Sequence, residues 1–352
     1  MKKLLLLIFY SLWLIIFTIS AVFAQPRFEW VVNPQYDHAG DFSHGLAGVS
    51  RNHKYGFIDK QGKIAIKPDY DGLRTFSEGL ASVEKDVKWG FIDKTGKTII
   101  DFKFEFSLMG NHRFVEGLMP FQAGTSLYGF LDMTGKLVIP ATYSHVQEFS
   151  ESLAAVEKNH NWGFIDKKGR VVIKLLYDEV GRFSSGLARV KQNGKHGFID
   201  ATGKIIIPLE YQNADDFGEG YAQVKKDGKS FFIDKTNTMV FKMPLPASPF
   251  YHGFSIIKYK DEYGYISKIG KIVIVPQFSD AQPFSEGLAR VCEGGKYGFV
   301  DKNGDYVIPA MFEDAGSFYE NLCAVKVGGK WGYIKNPLPP QAQQMTLHNN
   351  PK

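Results

Sequence analysis

The chain has 352 residues, of which 44% are hydrophobic and 14% aromatic, so it can bury one or two sizeable cores and is not a disordered chain. Without the two lysines of its leader it carries 40 basic against 37 acidic residues. This near balance, with lysines that mostly lie beside predicted turns, excludes an extended nucleic-acid-binding surface.

The N-terminal segment 1–24 has the pattern of a secretory signal peptide. A basic start at positions 2–3 is followed by an almost wholly apolar run over 4–19. The small residues of Ala-Val-Phe-Ala at 21–24 predict cleavage before Gln25, and therefore a secreted or periplasmic protein. The alternative is an uncleaved N-terminal anchor, because the run approaches the roughly 20 residues that span a bilayer. After cleavage, no membrane contact is expected.

An aromatic-glycine motif, such as WGFIDKTGK at 89–97, recurs along the whole chain. A second pattern, such as FSEGLASV at 76–83, precedes each copy, and an apolar run such as IIIPLEY at 205–211 follows it. Each unit therefore predicts three short strands. The second positions of the nine copies follow one another at a nearly constant spacing and are Gly56, Gly90, Gly129, Gly163, Gly197, Phe231, Gly264, Gly298 and Gly332.

These copies resemble the WG-repeat family, bacterial proteins built from tandem aromatic-Gly-aromatic-apolar-Asp motifs. The resemblance covers essentially residues 28–335. It implies an all-β repeat protein, usually with no assigned activity, and so informs the fold more than the function. No cofactor is expected.

The chemistry of one repeat can be interpreted from its residues. Asp93 opens a turn in which its carboxylate accepts backbone N–H groups, and Gly96 adopts the left-handed conformation that closes a hairpin. Trp89 is predicted to form a wedge between neighbouring sheets. Because a catalytic group does not need seven copies, the aspartates at 59, 93, 132, 166, 200, 234 and 301 are interpreted as structural. The recurring structural positions include Trp89, Gly90, Asp93, Gly96, Trp162, Gly163, Asp166, Trp331 and Gly332.

Burial on both faces of the strands decides the expected architecture. Trp89 and Phe91 point to one side of a strand and Ile92 to the other, and the following strand at 98–100 is apolar on both sides. We therefore predict nine tandem antiparallel three-stranded β-meanders of about 34 residues, stacked face to face. The stack forms either a propeller-like ring or an open curved superhelix.

The two ends of the array, which spans 25–335, look complementary. The last unit stops after 331–334 without a third strand, whereas 30–36 has the pattern of a third strand with no hairpin before it. Such a split unit can latch a ring, but nine blades exceed the usual range of about 4 to 8, so the open stack remains an alternative. The tail at 336–352, rich in Pro, Gln and Asn, is predicted to be disordered.

Cysteines and histidines suggest no site. Cys292 and Cys323 occupy strand positions at an odd offset, which turns them to opposite faces, so two buried thiols are expected rather than a disulfide. His38, His44 and His53 share the first unit, but no fourth ligand accompanies them, so no metal site is predicted. The sequence shows no paired catalytic carboxylates, Ser-His-Asp order, phosphate loop or dinucleotide fingerprint. We expect no enzyme.

Units three and six break the period. Unit three is longer than the others. Its segment with Phe102, Phe104 and Phe106 contains more aromatic residues than a connector requires. Unit six has Phe231 in place of the motif glycine and Asn237 in place of the turn glycine. Exposed aromatics at these places predict a ligand lip or partner-docking surface. The interpretation that the sequence favours over this surface is repeat decay with local repacking.

These observations favour an exported, non-enzymatic repeat scaffold that binds an unknown protein or a cell-envelope component. Binding of glycan or peptidoglycan is the alternative, since short Trp-, Tyr- and Gly-rich repeats loosely resemble cell-wall-binding repeats of Gram-positive surface proteins. Those repeats are shorter and expose their aromatics. A third hypothesis is a hydrolase near units three and six that uses Glu105, Glu116 or Asp227.

Overall fold

The computed structural model describes residues 28–105, 112–124, 126–243 and 245–344. Within these residues the chain forms nine antiparallel sheets, one for each repeat, that close into a nine-bladed β-propeller. The predicted all-β stack of meanders is confirmed, and of its two forms the ring is correct. The predicted leader at 1–24 lies outside the described residues.

The strands are named in chain order. The N-terminal strand is β1 (Trp30–Tyr36). Blades one to four contain β2 (His38–Ala39), β3 (Leu46–Arg51), β4 (Lys54–Asp59) and β5 (Ile64–Tyr70); β6 (Gly72–Leu73), β7 (Leu80–Lys85), β8 (Lys88–Asp93) and β9 (Thr98–Phe104); β10 (Leu118–Ala123), β11 (Leu127–Asp132) and β12 (Leu137–Tyr143); and β13 (His145–Val146), β14 (Leu153–Lys158), β15 (Asn161–Asp166) and β16 (Val171–Tyr177).

The remaining five blades continue the same order. Blades five to seven contain β17 (Glu179–Val180), β18 (Ala188–Gln192), β19 (Lys195–Ile199) and β20 (Ile205–Tyr211); β21 (Asn213–Ala214), β22 (Tyr221–Lys226), β23 (Lys229–Asp234) and β24 (Met239–Lys242); and β25 (Phe254–Tyr259), β26 (Glu262–Ser267) and β27 (Ile272–Phe278). Blades eight and nine contain β28 (Asp280–Ala281), β29 (Ala289–Glu293), β30 (Lys296–Val300) and β31 (Tyr306–Phe312); and β32 (Asp314–Ala315), β33 (Leu322–Val327) and β34 (Lys330–Lys335), completed by β1.

Each blade has three long strands, as the sequence predicts. In seven of the nine sheets a strand of two residues adds a fourth at one edge, which the sequence pattern does not reveal. A two-residue pairing is too short for a hydrophobic period to indicate it.

The N-terminal strand β1 closes the ring. It pairs antiparallel with β34, and Tyr36 faces Trp331 across the junction. The Tyr333 hydroxyl of blade nine also donates a hydrogen bond to the carbonyl oxygen of Gly40 in blade one, at 2.8 Å. The expectation that one end of the array completes the other is confirmed.

The glycine of the repeated motif permits a bulge in the third long strand. In blade four Trp162 faces Tyr177 and Phe164 faces Ile173, so two steps along β15 oppose four along β16. A Cβ on Gly163 would lie 2.5 Å from the Ile173 carbonyl oxygen, which only glycine avoids. The pairing of the second and third long strands shows two register shifts in blade four, and it shows two such shifts in each of the seven other blades that carry the motif glycine.

Burial differs between the second and third long strands. In β8, Trp89 to Ile92 are all buried, whereas in β9 Ile99 is 43% exposed and Ile100 is buried. The predicted two-sided burial of the third strand is therefore wrong. This strand lies at the outer edge of the ring, where the gap between neighbouring blades widens and water reaches alternate side chains.

Side chains of the repeated FSEGL turn connect neighbouring blades. The Ser43 hydroxyl donates to the Phe76 carbonyl oxygen of the next blade, and the Glu320 carboxylate accepts from the Gly45 N–H across the ring closure. Equivalent links start from Ser77, Glu78, Glu116, Ser150, Glu151, Glu219, Ser285 and Glu286.

Part of the predicted disordered tail packs against the ring. The Asn336 amide nitrogen donates to the Glu286 carbonyl oxygen, and a short helix, α1 (Pro340–Gln344), follows. The rest of the tail lies outside the described residues. Across the described part of the chain, no helix is long and apolar enough to span a membrane. Cys292 and Cys323 are both buried and free, which confirms the expected pair of thiols.

Candidate functional site in blade six

The recurring aspartates bind the backbone of their own hairpins. Asp93 Oδ1 accepts from the N–H groups of Thr95 and Lys97, at 2.8 and 3.1 Å, and Gly96 has a φ of +84°. A hydrogen bond from the Thr95 hydroxyl, supported by these two backbone hydrogen bonds, holds the pKa of Asp93 below its usual value. In the other hairpins the N–H groups two and four residues after the aspartate donate in the same way to the carboxylates at 59, 132, 166, 200, 234 and 301.

In eight blades two residues with ring side chains stand opposite each other in the register of the second and third long strands. The first ring precedes the motif glycine and the second ends the third strand. Trp89 is buried, whereas Trp162 and Trp331 are half-buried. The facing pairs are Tyr36 and Trp331, Tyr55 and Tyr70, Trp89 and Phe104, Tyr128 and Tyr143, Trp162 and Tyr177, His196 and Tyr211, Tyr263 and Phe278, and Tyr297 and Phe312.

The aromatics predicted as an interaction surface fall in different environments. Phe104 is 8% exposed and faces Trp89, so it belongs to the core and does not form a surface. Phe102 is half-buried and stacks on Tyr70 with ring centres 6.4 Å apart. Phe106 lies outside the described residues. Phe231 lines a large cavity.

Blade six lacks the bulge because it lacks the glycine. Phe231 faces Lys242 and Phe232 faces Phe241, so β23 and β24 pair in a regular register at this point. A phenylalanine side chain cannot occupy the space in which the third strand of the other blades approaches the motif glycine. As a result β24 is only four residues long and the chain leaves the sheet at Met243.

The positions of the ring pair hold small or aliphatic residues in blade six. Ser230 lies one repeat after His196, and Leu245 lies one repeat after Tyr211. Both residues line a cavity of about 1110 Å³. Its apolar wall includes Phe231 and the buried Met243. Because blade six lacks the bulge, the residue opposite Ser230 is the buried Met243, whose N–H donates to the Ser230 carbonyl oxygen at 3.1 Å.

Lysines surround this cavity, which we call the blade-six cleft. Lys225, Lys229 and Lys242 are exposed and, within the described residues, form no salt bridge. Lys226 is paired with Glu210 at 2.8 Å, outside the lining. The carboxylates of the lining are Asp215 and Asp227. Since Lys226 is neutralised by Glu210, three lysines remain against two carboxylates.

A second cavity of about 600 Å³ adjoins the cleft and shares Asp215 and Ala247 with it. Arg189 Nε donates to Asp216 Oδ1 at 3.2 Å in this cavity. Burial raises the pKa of Asp215, although the positive charge of Arg189 partly opposes this shift. The site thus extends from the third long strand of blade six to the FSEGL-type turns that contain Ser184, Phe217 and Tyr251.

One end of the interface between blades six and seven remains clamped. The Glu219 carboxylate accepts from the N–H groups of His252 and Gly253, at 2.7 and 2.9 Å. Its partner Lys268 lies 2.9 Å away. These contacts hold the two blades together at the FSEGL turn, while the blade-six cleft opens at the other end.

The residues considered for catalysis are separated by the fold. Glu105 follows blade two, Glu116 lies in the turn of blade three and Asp227 in the hairpin of blade six. Glu116 accepts the Ser152 N–H and forms a salt bridge with Lys167. In the part of the chain that the structure describes, no group of three or more His, Cys, Asp or Glu side chains is placed to hold a metal ion.

The repeats match the family model described as WG containing repeat. The chain belongs to this family. The WG-repeat model matches residues 24–55, 55–89, 89–122, 128–161, 162–195, 197–229, 263–297 and 297–331. No match covers 230–262, the segment that contains Ser230, Phe231 and Leu245. The blade-six cleft is therefore formed where this protein departs from its own family pattern.

The fold is similar to that of a solved eukaryotic initiation factor structure. A eukaryotic initiation factor is 12% identical with a TM-score of 0.58, over 89% of this chain and 93% of that chain. BamB from Moraxella catarrhalis is 10% identical with a TM-score of 0.41, over 86% and 92%. The WD40 domain of fission yeast SCAP is 8% identical with a TM-score of 0.40, over 89% and 99%. No curated protein matches the chain.

The sequence marks this site only in part. The interpretation of the sequence identified Phe231 but not the changes at Ser230 and Leu245. Alignment of the units at their common spacing reveals these two changes. It also does not relate Lys225 and Lys242 to a common place, because they lie on different strands that only the folded blade brings together.

Proposed function

We propose that this protein is an exported, non-enzymatic scaffold that binds a protein or another component of the cell envelope at the blade-six cleft. The observation that carries this proposal is the loss of the glycine bulge and of the ring pair in one blade of an otherwise regular ring. A cavity with an apolar wall and convergent polar groups is the usual form of a binding site.

The ring supports a binding role because it presents the cleft on a rigid frame. Neighbouring blades are joined by side chains of the FSEGL turns, and β1 removes the free ends of the array. A preformed site loses little conformational entropy when a partner binds. Export rests on the predicted leader at 1–24.

The non-enzymatic interpretation rests on the hydrogen bonds and salt bridges that the carboxylates of the repeats already form within the protein. The repeated aspartates accept backbone N–H groups, and Glu116 is occupied by Ser152 and Lys167. A general acid or base must reach substrate with a free proton-accepting atom. These groups instead stabilise turns and blade contacts.

Capture from envelope extract tests the proposal. The purified protein and its Ser230→Trp variant, which places a ring in the cleft, are immobilised side by side. We expect species that the wild type retains and the variant does not. Tyr128→Trp, a ring exchange at the equivalent position of blade three, is the control and retains them. Identical capture by all three proteins contradicts the proposed site, and no capture above background contradicts the scaffold itself.

A further inference from the structure

The FSEGL turns contain a recurring binding place for a carboxylate, which we call the carboxylate cradle. It consists of two consecutive N–H groups of the turn and the lysine that stands four positions after the second position of the aromatic-glycine motif of the same blade. In blade seven the His252 and Gly253 N–H groups and Lys268 Nζ hold a carboxylate, that of Glu219, at 2.7, 2.9 and 2.9 Å. Blades one and four have the same arrangement, with Lys60 on Glu320 and Lys167 on Glu116.

The occupant of each cradle comes from the preceding blade. In six cases it is a glutamate that accepts a turn N–H, namely Glu78, Glu116, Glu151, Glu219, Glu286 and Glu320. For blades two, six and eight the occupant position and the lysine of the cradle are His44 with Lys94, Ser185 with Lys235, and His252 with Lys302. Within the described residues, no carboxylate accepts from the turn N–H groups of these three blades. The fold thus builds three cradles to which the chain supplies no carboxylate.

The blade-six cradle is the most accessible of these three. Its occupant position, Ser185, has only a hydroxymethyl side chain, and among the described residues a Cβ on Gly220 would have no atom within 4 Å. In blade two an imidazole, that of His44, remains at the occupant position. In blade eight the C-terminal tail covers the turn, since a Cβ on Gly287 would lie 2.8 Å from the Ala342 carbonyl oxygen.

We infer that the blade-six cradle binds a carboxylate group that a ligand supplies. The turn already has the binding conformation, because Glu219 and Gly220 have φ values of +51° and +88°. The corresponding values in the filled cradle of blade seven are +50° and +85°, at His252 and Gly253. Successive N–H groups in such a turn form an anion-binding concavity. None of the cradle residues lines the blade-six cleft, so this inference goes beyond the proposed function.

Lys235 already reaches across the interface toward the occupant position. Its Nζ donates to the Ser185 carbonyl oxygen of blade five at 3.0 Å. The equivalent Lys268 forms a salt bridge with Glu219 at 2.9 Å. Within the part of the chain that the structure describes, Lys235 has no carboxylate partner. A bound carboxylate gives it one, and a hydrogen bond between two charged groups is stronger than one to a neutral carbonyl.

The carboxylate can come from two sources, a glutamate side chain of a protein that the ring binds or a small free dicarboxylate. Both place the same group on the same donors, as Glu219 does in blade seven. A glutamate of a bound protein would clamp that protein to blade six in the way in which the blades clamp one another.

The backbone amide chemical shifts of Glu219 and Gly220 test the inference at this site. Isotope-labelled protein is titrated at constant ionic strength with glutarate and, separately, with glutaramide, which has the same length but no charge. We expect saturable downfield shifts of both amides with glutarate, because hydrogen bonds to a carboxylate form. Binding of glutaramide is expected to be at least about tenfold weaker.

Two peptides distinguish the sources. Acetyl-Gly-Glu-Gly-amide should shift the same two amides, whereas acetyl-Gly-Gln-Gly-amide should bind at least about tenfold more weakly. Tighter binding of the Glu peptide than of glutarate assigns the carboxylate to a protein, and the reverse order assigns it to a small molecule. Either order supports the carboxylate site.

Variants assign the binding to the cradle. Ser185→Glu returns the missing occupant, so it should shift both amides without ligand, raise the unfolding midpoint and weaken glutarate binding at least about tenfold. His44→Glu supplies an occupant to the blade-two cradle and is the matched control, which leaves the glutarate response of Glu219 and Gly220 unchanged. Lys235→Met should weaken binding about tenfold and replaces Ser185→Glu if that variant does not fold.

Several outcomes overturn the inference. Amides of Glu219 and Gly220 that do not respond to glutarate or to the Glu peptide, or that respond equally to glutaramide, exclude a carboxylate site. An equal loss of binding with His44→Glu excludes the blade-six cradle. If the amides do not respond while capture from envelope extract still depends on Ser230, the carboxylate site is wrong and the proposed function stands.

Discussion

Gly163 lies so close to Ile173 that a Cβ on residue 163 would come within 2.5 Å of the Ile173 carbonyl oxygen. It would also come within 2.8 Å of the Leu175 backbone nitrogen. Both atoms belong to the bulged third strand, which cannot move away without losing its pairing with β15. This contact explains the glycine of the family motif by backbone packing.

The first prediction follows from this contact. Gly163→Ala should lower the free energy of unfolding by about 3 kcal/mol, because the added methyl group forces backbone atoms apart. Urea unfolding measures the change. Gly40→Ala is the control, since a Cβ there has ordinary contacts, the nearest at 3.7 Å. Equal effects of the two substitutions would contradict the role assigned to the glycine.

The second prediction concerns the wedge tryptophans. Trp89 is 4% exposed, so Trp89→Ala should cost about 3–5 kcal/mol in the free energy of unfolding. Trp162 is only half-buried and stacks on His145 with ring centres 6.3 Å apart, so Trp162→Ala should cost less. Thermal and urea unfolding of both variants provide the comparison. A larger loss for Trp162 would show that burial does not set the order.

The third prediction concerns ring closure. A chain that begins at Asp37 lacks β1 and exposes the pairing edge of β34, so it should lose several kcal/mol of stability and its cooperative unfolding. A chain that begins at Phe28 keeps β1 and serves as control. A synthetic peptide spanning Trp30–Tyr36 should restore the unfolding midpoint when added to the shorter chain. Unchanged stability of the shorter chain would mean that closure does not hold the ring together.

The fourth prediction is a pH dependence centred on Asp41. Burial raises the pKa of this carboxyl from 3.8 to about 6, although the positive charge of Arg290 partly opposes the shift. The folded protein therefore binds the proton more tightly than the unfolded chain. The stabilisation from this proton is complete below pH 3.8 and is lost as the pH rises through about 6.

Asp41→Asn removes this dependence. At pH 7 the variant should be more stable than the wild type by up to about 3 kcal/mol, whereas at pH 3.5 the two should agree. Urea unfolding between pH 3.5 and 7 measures the difference. Asp37→Asn gives the opposite sign, because a hydrogen bond from Lys330 lowers the pKa of Asp37. A pH-independent difference for Asp41→Asn would show that its carboxyl is not destabilised by burial.

Local features of the repeat were predictable from the sequence. The hairpins depend on residues two to four positions apart, such as Asp93 with Thr95 and Lys97, and such contacts recur wherever the motif recurs. The interpretation of Phe104 as part of a surface is wrong because its cross-strand partner Trp89 depends on a bulge that no hydrophobic period reveals. The cleft was indicated by Phe231, but its extent required the register of β24.

The sequence by itself determined nine units, their strands and turns, and the unit in which the pattern fails, because each of these follows from contacts within a single repeat. The tertiary structure decided that the stack closes, since this depends on pairing between Tyr36 and Trp331 and on the angle that packing sets between all nine blades. It also decided that the failed unit forms a lysine-rimmed cleft. Loss of the glycine shortens one strand, and only the folded blade shows that Ser230, Leu245 and Lys242 then face a common space.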